Sequence, residues 1–302
     1  MKRLLMCLLV ATMTWAQSST DRGMQAAPAA LKSSIMLNER NVPVTKTDLY
    51  CGGYLSPDPV SRDVFVAGGL QTPTRLDYNE GDIIYLRGGY APGTRVSIIR
   101  EMADPNRYVP FPMARGLQKK IGSLYGEIGY ATVVSSRRKG IAIAHVDFAC
   151  ESIIPGDLIA PFVAREPVTA RERSPMDRFP AGTSRLSGHI VASRDFDEFV
   201  GAGKKVYLNL GAQKGVKPGD YFRIVRNYEP SSMDPADAEM FNETLYDDTQ
   251  ENPPQLPKES LGDLPRRVVG EVIVLNTRPG TATAMITFSV EEIQIGDTVE
   301  LE

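Results

Sequence analysis

Hydrophobic and polar positions alternate with period two along much of this chain, most regularly in residues 140–157, GIAIAHVDFACESIIPGD. Ala142, Ala144, Val146 and Phe148 fall on one face of that stretch, which predicts a strand with a tight interior side. Residues 280–297, GTATAMITFSVEEIQIGD, repeat it without a gap, and eight of the eighteen positions are identical. Ala282, Ala284, Ile286 and Phe288 restate the apolar face, and a Gly-Asp pair closes each copy as a turn.

Further landmarks recur in the same order. Gly81-Asp82-Ile83-Ile84-Tyr85-Leu86 corresponds to Gly203-Lys204-Lys205-Val206-Tyr207-Leu208. A Pro-Gly turn and an alternating strand ending in Arg occupy residues 92–100 and again 218–226; Pro sets the first turn angle and Gly supplies the positive φ of a type II turn. Gly126-Glu127-Ile128 aligns with Gly270-Glu271-Val272 as the opening of the next strand. Helical periodicity is nearly absent. The pattern predicts an all-β protein: two tandem copies of a small β-barrel or open-sandwich module, each with four or five short strands, Gly-rich turns and long loops. Small inward alanines suit a narrow barrel, where larger side chains would crowd the opposite strands.

Outside the repeats the composition changes. Residues 1–16 have a basic start, an apolar run and small residues before Gln17, the pattern of a secretory signal peptide. Its removal leaves 32 basic against 37 acidic residues, a net charge of −5. That balance argues against nonspecific nucleic-acid binding, which needs a strongly basic face. No later stretch is apolar enough to span a membrane, so an exported, periplasmic protein is expected. Residues 17–47 read as a poorly ordered tether with a weak helical tendency at 26–37. The first module is placed at 48–162, a Pro- and Arg-rich linker at 163–185 and the second module at 186–302. Within the second module, residues 227–264 form a long loop with ten acidic residues and a single lysine, Lys258. It reads as a solvated insertion or as a docking arm for a basic partner; residues 101–125 are its counterpart in the first copy.

Candidate chemistry is sparse. Cys51 and Cys150 remain after processing, and an even pair in an exported protein predicts a disulfide. The alternative is that Cys150, which continues the inward parity of its strand, is a buried apolar thiol. Neither His145 nor His189 has His, Cys or carboxylate neighbours at metal-ligand spacing, and no nucleotide-binding or nucleophile motif is present. No catalytic residue, cofactor or metal site is predicted. The Gly-Asp pairs that end at Asp82, Asp157, Asp220 and Asp297 raise calcium ligation, although an Asp closing its own turn is the simpler reading. Tyr85 and Tyr207, at matching positions, could stack on a sugar or serve as strand packing.

The runs VYLNLGAQKGVKPGDYFRIVR (206–226), GEVIVL (270–275) and TATAMITFSVEEIQIGDTVEL (281–301) resemble the C-terminal domain of flagellar assembly protein T. Similar domains occur in exported envelope proteins that carry lysin-motif modules. The resemblance covers residues 186–302, and residues 77–162 as a degraded copy, through glycine spacing and strand pattern. It implies a β-rich, non-catalytic, periplasmic assembly or scaffold module with envelope proteins as partners. A peptidoglycan- or carbohydrate-binding module is the alternative expectation.

Overall fold

The computed structural model describes residues 43–105, 121–137, 140–169, 171, 176–182, 185–227 and 264–302, all within one compact unit, Glu39–Glu302. The expected signal peptide, the tether up to residue 42 and nearly all of the acidic loop lie outside these residues, as does the central part of loop 101–125.

The first half contains a short helix, α1 (Lys46–Tyr50), and strands β1 (Tyr54–Ser56), β2 (Phe65–Gly69), β3 (Ile83–Arg87), β4 (Arg95–Met102), β5 (Ser123–Arg137), β6 (Ile141–Ala149) and β7 (Leu158–Pro161). The second half contains β8 (Ser187–Ser193), β9 (Phe199–Val200), β10 (Lys205–Leu208), a 3-10 turn (Ala212–Lys214), β11 (Tyr221–Arg226), β12 (Arg267–Thr277), β13 (Ala282–Ser289), β14 (Ile293–Gln294) and β15 (Thr298–Leu301). The protein is therefore almost entirely β. Strands β8-β10-β13-β12-β11-β15 form a closed six-stranded barrel. In the first half the pairings run β2-β3-β6-β5-β4-β7 and return to β2, with β1 added beside the start of β5. Each ring thus has six strands rather than four or five. The extra members, β2 and β8, precede the first shared landmark; β2 is short and ends in two glycines, and β8 mixes Gly and polar residues with its apolar ones, so neither alternates cleanly.

Registers match closely. Leu86 faces Ala142 and Ile84 faces Ala144, while Leu208 faces Ala282 and Val206 faces Ala284. All four alanines are buried inside the rings. Four β-bulges also recur, leaving one residue unopposed at Ala67 and Val191, Ile128 and Val269, Val134 and Leu275, and Asp147 and Thr287. Bulges sharpen local twist, which helps so few strands close.

Two sequence expectations change here. The extra residue at Asp147 breaks the period-two parity. Phe148 consequently leaves the interior and lies on the outer surface against Tyr130, with ring centroids 5.5 Å apart. Register also pairs Gly129 with Ala149 and Gly270 with Ser289, so Gly129, not Gly126, is the counterpart of Gly270. A Cβ at either glycine would press on the carbonyl of the facing Phe, at 2.3 Å from Phe148 and 2.6 Å from Phe288.

An arginine clip closes each ring. Arg100 Nε and Nη2 donate to the two carboxylate oxygens of Asp157 at 2.7 and 2.9 Å, and Nη2 also reaches the Ser152 carbonyl at 3.0 Å. Arg226 repeats this on Asp297 at 2.9 and 2.8 Å and on the Glu292 carbonyl at 2.6 Å. The Arg that ends each alternating strand is thus joined to the Asp of the closing Gly-Asp turn, a bidentate pairing stronger than neutral hydrogen bonds.

Candidate functional site: the seam between the rings

The segment from Thr45 to Ser56 lies between the two rings, so the expected first module boundary at residue 48 cuts through an element that serves both. Thr45 caps α1, its hydroxyl accepting from Asp48 N–H while the Asp48 side chain accepts from Thr45 N–H. This Thr-x-x-Asp capping box was legible in the sequence, but a helix of five residues leaves no periodic trace. Leu49 packs on Ile273, Leu275 and Met285 of the second barrel, and Asp48 pairs with Lys205. Burial works against the Asp48 carboxylate, yet hydrogen bonds from Lys205 and Thr45 outweigh it and hold its pKa below the usual value.

Past the helix, Cys51 is disulfide-bonded to Cys150, which follows β6 of the first ring. The alternative of an inward, unbonded Cys150 does not hold, because the bulge at Asp147 has already turned the chain's faces over. The next residues form a strap whose carbonyls are taken up by second-barrel side chains. Arg194 Nε donates to Cys51 O at 2.9 Å, Tyr207 Oη to Gly52 O at 2.8 Å, Thr283 Oγ1 to Gly53 O at 2.7 Å and Thr281 Oγ1 to Leu55 O at 3.0 Å. On its other side the strap continues as β1, paired with β5. Gly53 has φ +69°, and a Cβ there would lie 2.6 Å from Tyr125 O and 2.8 Å from Tyr207 Oη, so only glycine fits.

Tyr207, one of the two residues considered for sugar stacking, is fully buried in this seam. Its ring packs with Leu55, Leu124, Val191 and Ala192, and burial drives its pKa far upward. A stacking role for Tyr207 is therefore corrected: its faces are covered by protein. Tyr85, at the matching place on β3, is half-buried on the outside of the first ring. The half-exposed aromatic cluster lies elsewhere, where Tyr130 meets Tyr50, Phe148 and Phe162 at centroid distances of 5.4, 5.5 and 5.0 Å.

The linker is also drawn into the seam through its arginines. Arg165 forms a two-pronged ion pair with Glu127, which also accepts Gly53 N–H at 3.2 Å, and its backbone N–H donates to Tyr50 Oη at 2.9 Å. Arg171 lies 4.1 Å from the Tyr221 ring centroid and pairs with Glu271, and Arg178 pairs with Glu291. A cavity of about 100 Å³ opens where these elements meet, lined by Tyr50, Tyr54 and Tyr130, by Glu127 and Arg165, and by Arg278 of the β12–β13 turn.

The other sequence candidates resolve structurally. The four candidate aspartates each accept the N–H three residues before them: Asp82 from Asn79, Asp157 from Ile154, Asp220 from Lys217 and Asp297 from Gln294, at 2.8–2.9 Å. Among the described residues no group of three His, Cys, Asp or Glu side chains is placed to hold a metal ion. His145 faces Asp147 at 3.2 Å on the exterior, and His189 lies beside the Gly296 carbonyl. No described helix is long and apolar enough to cross a membrane. The buried glutamates and linker arginines were missed because their partners are 38 and 100 residues away in the chain. No protein-family model matches this chain, and no curated protein matches it.

Proposed function

We propose that this chain is an exported, non-catalytic structural or interaction module of a bacterial cell envelope, built from two tandem copies of one β-barrel unit. The duplication is supported by the shared strand order, the four recurring bulges and the repeated arginine clip. The observation that carries the functional reading is the use made of the segments outside the rings. Helix α1, the disulfide, the strap and the linker arginines all fix one ring against the other. A body held this way presents its loops at set spacing, which suits simultaneous docking to an envelope assembly, flagellar or other. The export signal and the resemblance to the flagellar assembly domain supply the envelope setting. In-cell crosslinking of the exported protein, with mass spectrometry of what it captures, tests the reading. Capture of envelope-machine proteins is expected, and a protein that captures none and is not retained in envelope fractions would overturn it.

The half-exposed cluster of Tyr130, Phe148 and Phe162 favours a second reading, a peptidoglycan- or carbohydrate-binding module. Sedimentation with insoluble peptidoglycan tests it, and binding unchanged in Tyr130→Ala would remove the surface.

A further inference from the structure

The seam cavity has an unbalanced set of donors. Its lining includes two guanidiniums, Arg165 and Arg278, against one carboxylate, Glu127. Arg165 spends two of its nitrogens on Glu127 and the Leu49 carbonyl, and its side chain is nine-tenths buried. Its Nε–H is buried and has no partner among the described residues. Arg278 is poorer still. The turn that carries it is held by Ala212 N–H on its carbonyl at 2.9 Å and by its own N–H on Thr281 O at 2.8 Å. From there its guanidinium reaches across to the first ring and lies 3.8 Å from the Tyr54 ring centroid. Its Nε–H is also buried without a partner, and the guanidinium donates no hydrogen bond to any described residue.

Among the described residues the Nη groups of Arg278 meet no hydrogen-bond acceptor, and a charged donor on a cavity wall favours an anionic partner. A guanidinium held over an aromatic ring by its charge can still offer N–H groups to a bidentate partner. The remaining walls set the size and character of that partner. Ile99, Pro161 and Val163 are apolar, while Ser97, Asn276 and Thr277 are polar. A cavity of about 150 Å³ takes a benzene ring, so about 100 Å³ admits a carboxylate with a tail of two or three carbons.

We infer that the cavity between the rings is a binding site for a small aliphatic carboxylate, either a short free acid or the C-terminal end of a peptide finishing in a small residue. Arg278 holds the carboxylate, and the charge of Arg165 lies on the same cavity wall. Because Tyr54 belongs to the strap and Arg278 to the second barrel, the occupant bridges the two rings.

Calorimetric titration of the intact chain with propionate, N-acetyl-Ala-Ala, its C-terminal amide and inorganic phosphate tests this, alongside NMR of the arginine Nε–H signals. One-to-one binding of propionate or the free-acid peptide is expected, with the Arg278 Nε–H signal shifting and the amide at least tenfold weaker. Tighter binding of the peptide identifies a chain terminus as the source, and equal binding a free acid. Arg278→Gln should weaken the free-acid ligands at least tenfold, and so should Ser97→Phe, which fills the cavity while leaving both guanidiniums in place. The inference is overturned by the absence of saturable binding, by equal affinity for acid and amide or for phosphate, or by Arg278→Gln binding like the parent. The acid-against-amide comparison needs no variant, so it stands even where a substitution unfolds the chain.

Discussion

Replacing Tyr207 by Phe tests whether the strap is the element that joins the rings. The ring is kept and only the hydroxyl that donates to Gly52 O at 2.8 Å is lost, in a place where Tyr207 is 0% exposed. Water cannot replace it there without entering the seam, so the Gly52 carbonyl is left unpaired at a cost of about 1–3 kcal/mol. Thr283→Val removes the neighbouring hydroxyl from Gly53 O, at 2.7 Å, with a cost in the same range. Both hydroxyls hold the same short segment, so the first loss loosens it and the second should cost less, a departure from additivity of about 0.5 kcal/mol or more. Tyr85→Phe is the control: that phenol sits on the outer face of the matching strand with no hydrogen bond among the described residues, and should stay within about 0.5 kcal/mol of the parent. Urea unfolding of the oxidised protein, followed by far-UV circular dichroism, measures all of these; the one tryptophan, Trp15, lies in the expected signal segment and reports nothing on the rings. Seam variants that each cost less than about 0.3 kcal/mol and add independently would refute the argument, because the strap would then not be a dry, shared contact.

Three other outcomes are expected. Replacing Cys51 and Cys150 together by Ser opens a closure spanning 99 residues and should cost about 4–5 kcal/mol by the chain-entropy estimate, read as a fall in the urea midpoint equal to that produced by reduction. Arg226→Lys cannot bridge both oxygens of Asp297 and the Glu292 carbonyl at once, and should destabilise by about 1–3 kcal/mol, with Arg100→Lys behaving alike in the first ring. Acid should loosen the second barrel through Glu291 and Glu300. Burial opposes ionisation of both, but hydrogen bonds and charge from Arg267 and Arg178, and from Arg266 and Arg223, outweigh it and place both below the ordinary value of 4.5. A carboxylate with a depressed folded pKa stabilises fully above its unfolded value and loses that contribution as pH falls through the folded one. The urea midpoint should therefore hold above pH 5 and drop below about pH 4, and Arg266→Gln should reduce the drop.

Much of each ring was already written in local pattern. Period two, the Pro-Gly turns and the inward alanines depend on neighbours a few residues apart, so they survive in the linear text as alternation and spacing. The four candidate Gly-Asp pairs were readable for the same reason, since each Asp closes a turn on an amide three residues back. Bulges were not readable. One unopposed residue at Asp147 reverses the faces that follow, which sends Phe148 outward and carries Cys150 to Cys51. Identity of residue type also concealed difference of place. Tyr85 and Tyr207 occupy matching positions on the two rings, yet one faces outward and the other is sealed, because the strap and β1 cover Tyr207 and not Tyr85. The candidate site belongs wholly to this second category. Arg165, Glu127, Tyr54 and Arg278 come from a linker, two strands and a distant turn, and no spacing in the chain relates them. Local sequence determined what each strand and turn would be; packing between rings, acting over a hundred residues or more, decided which side chains meet.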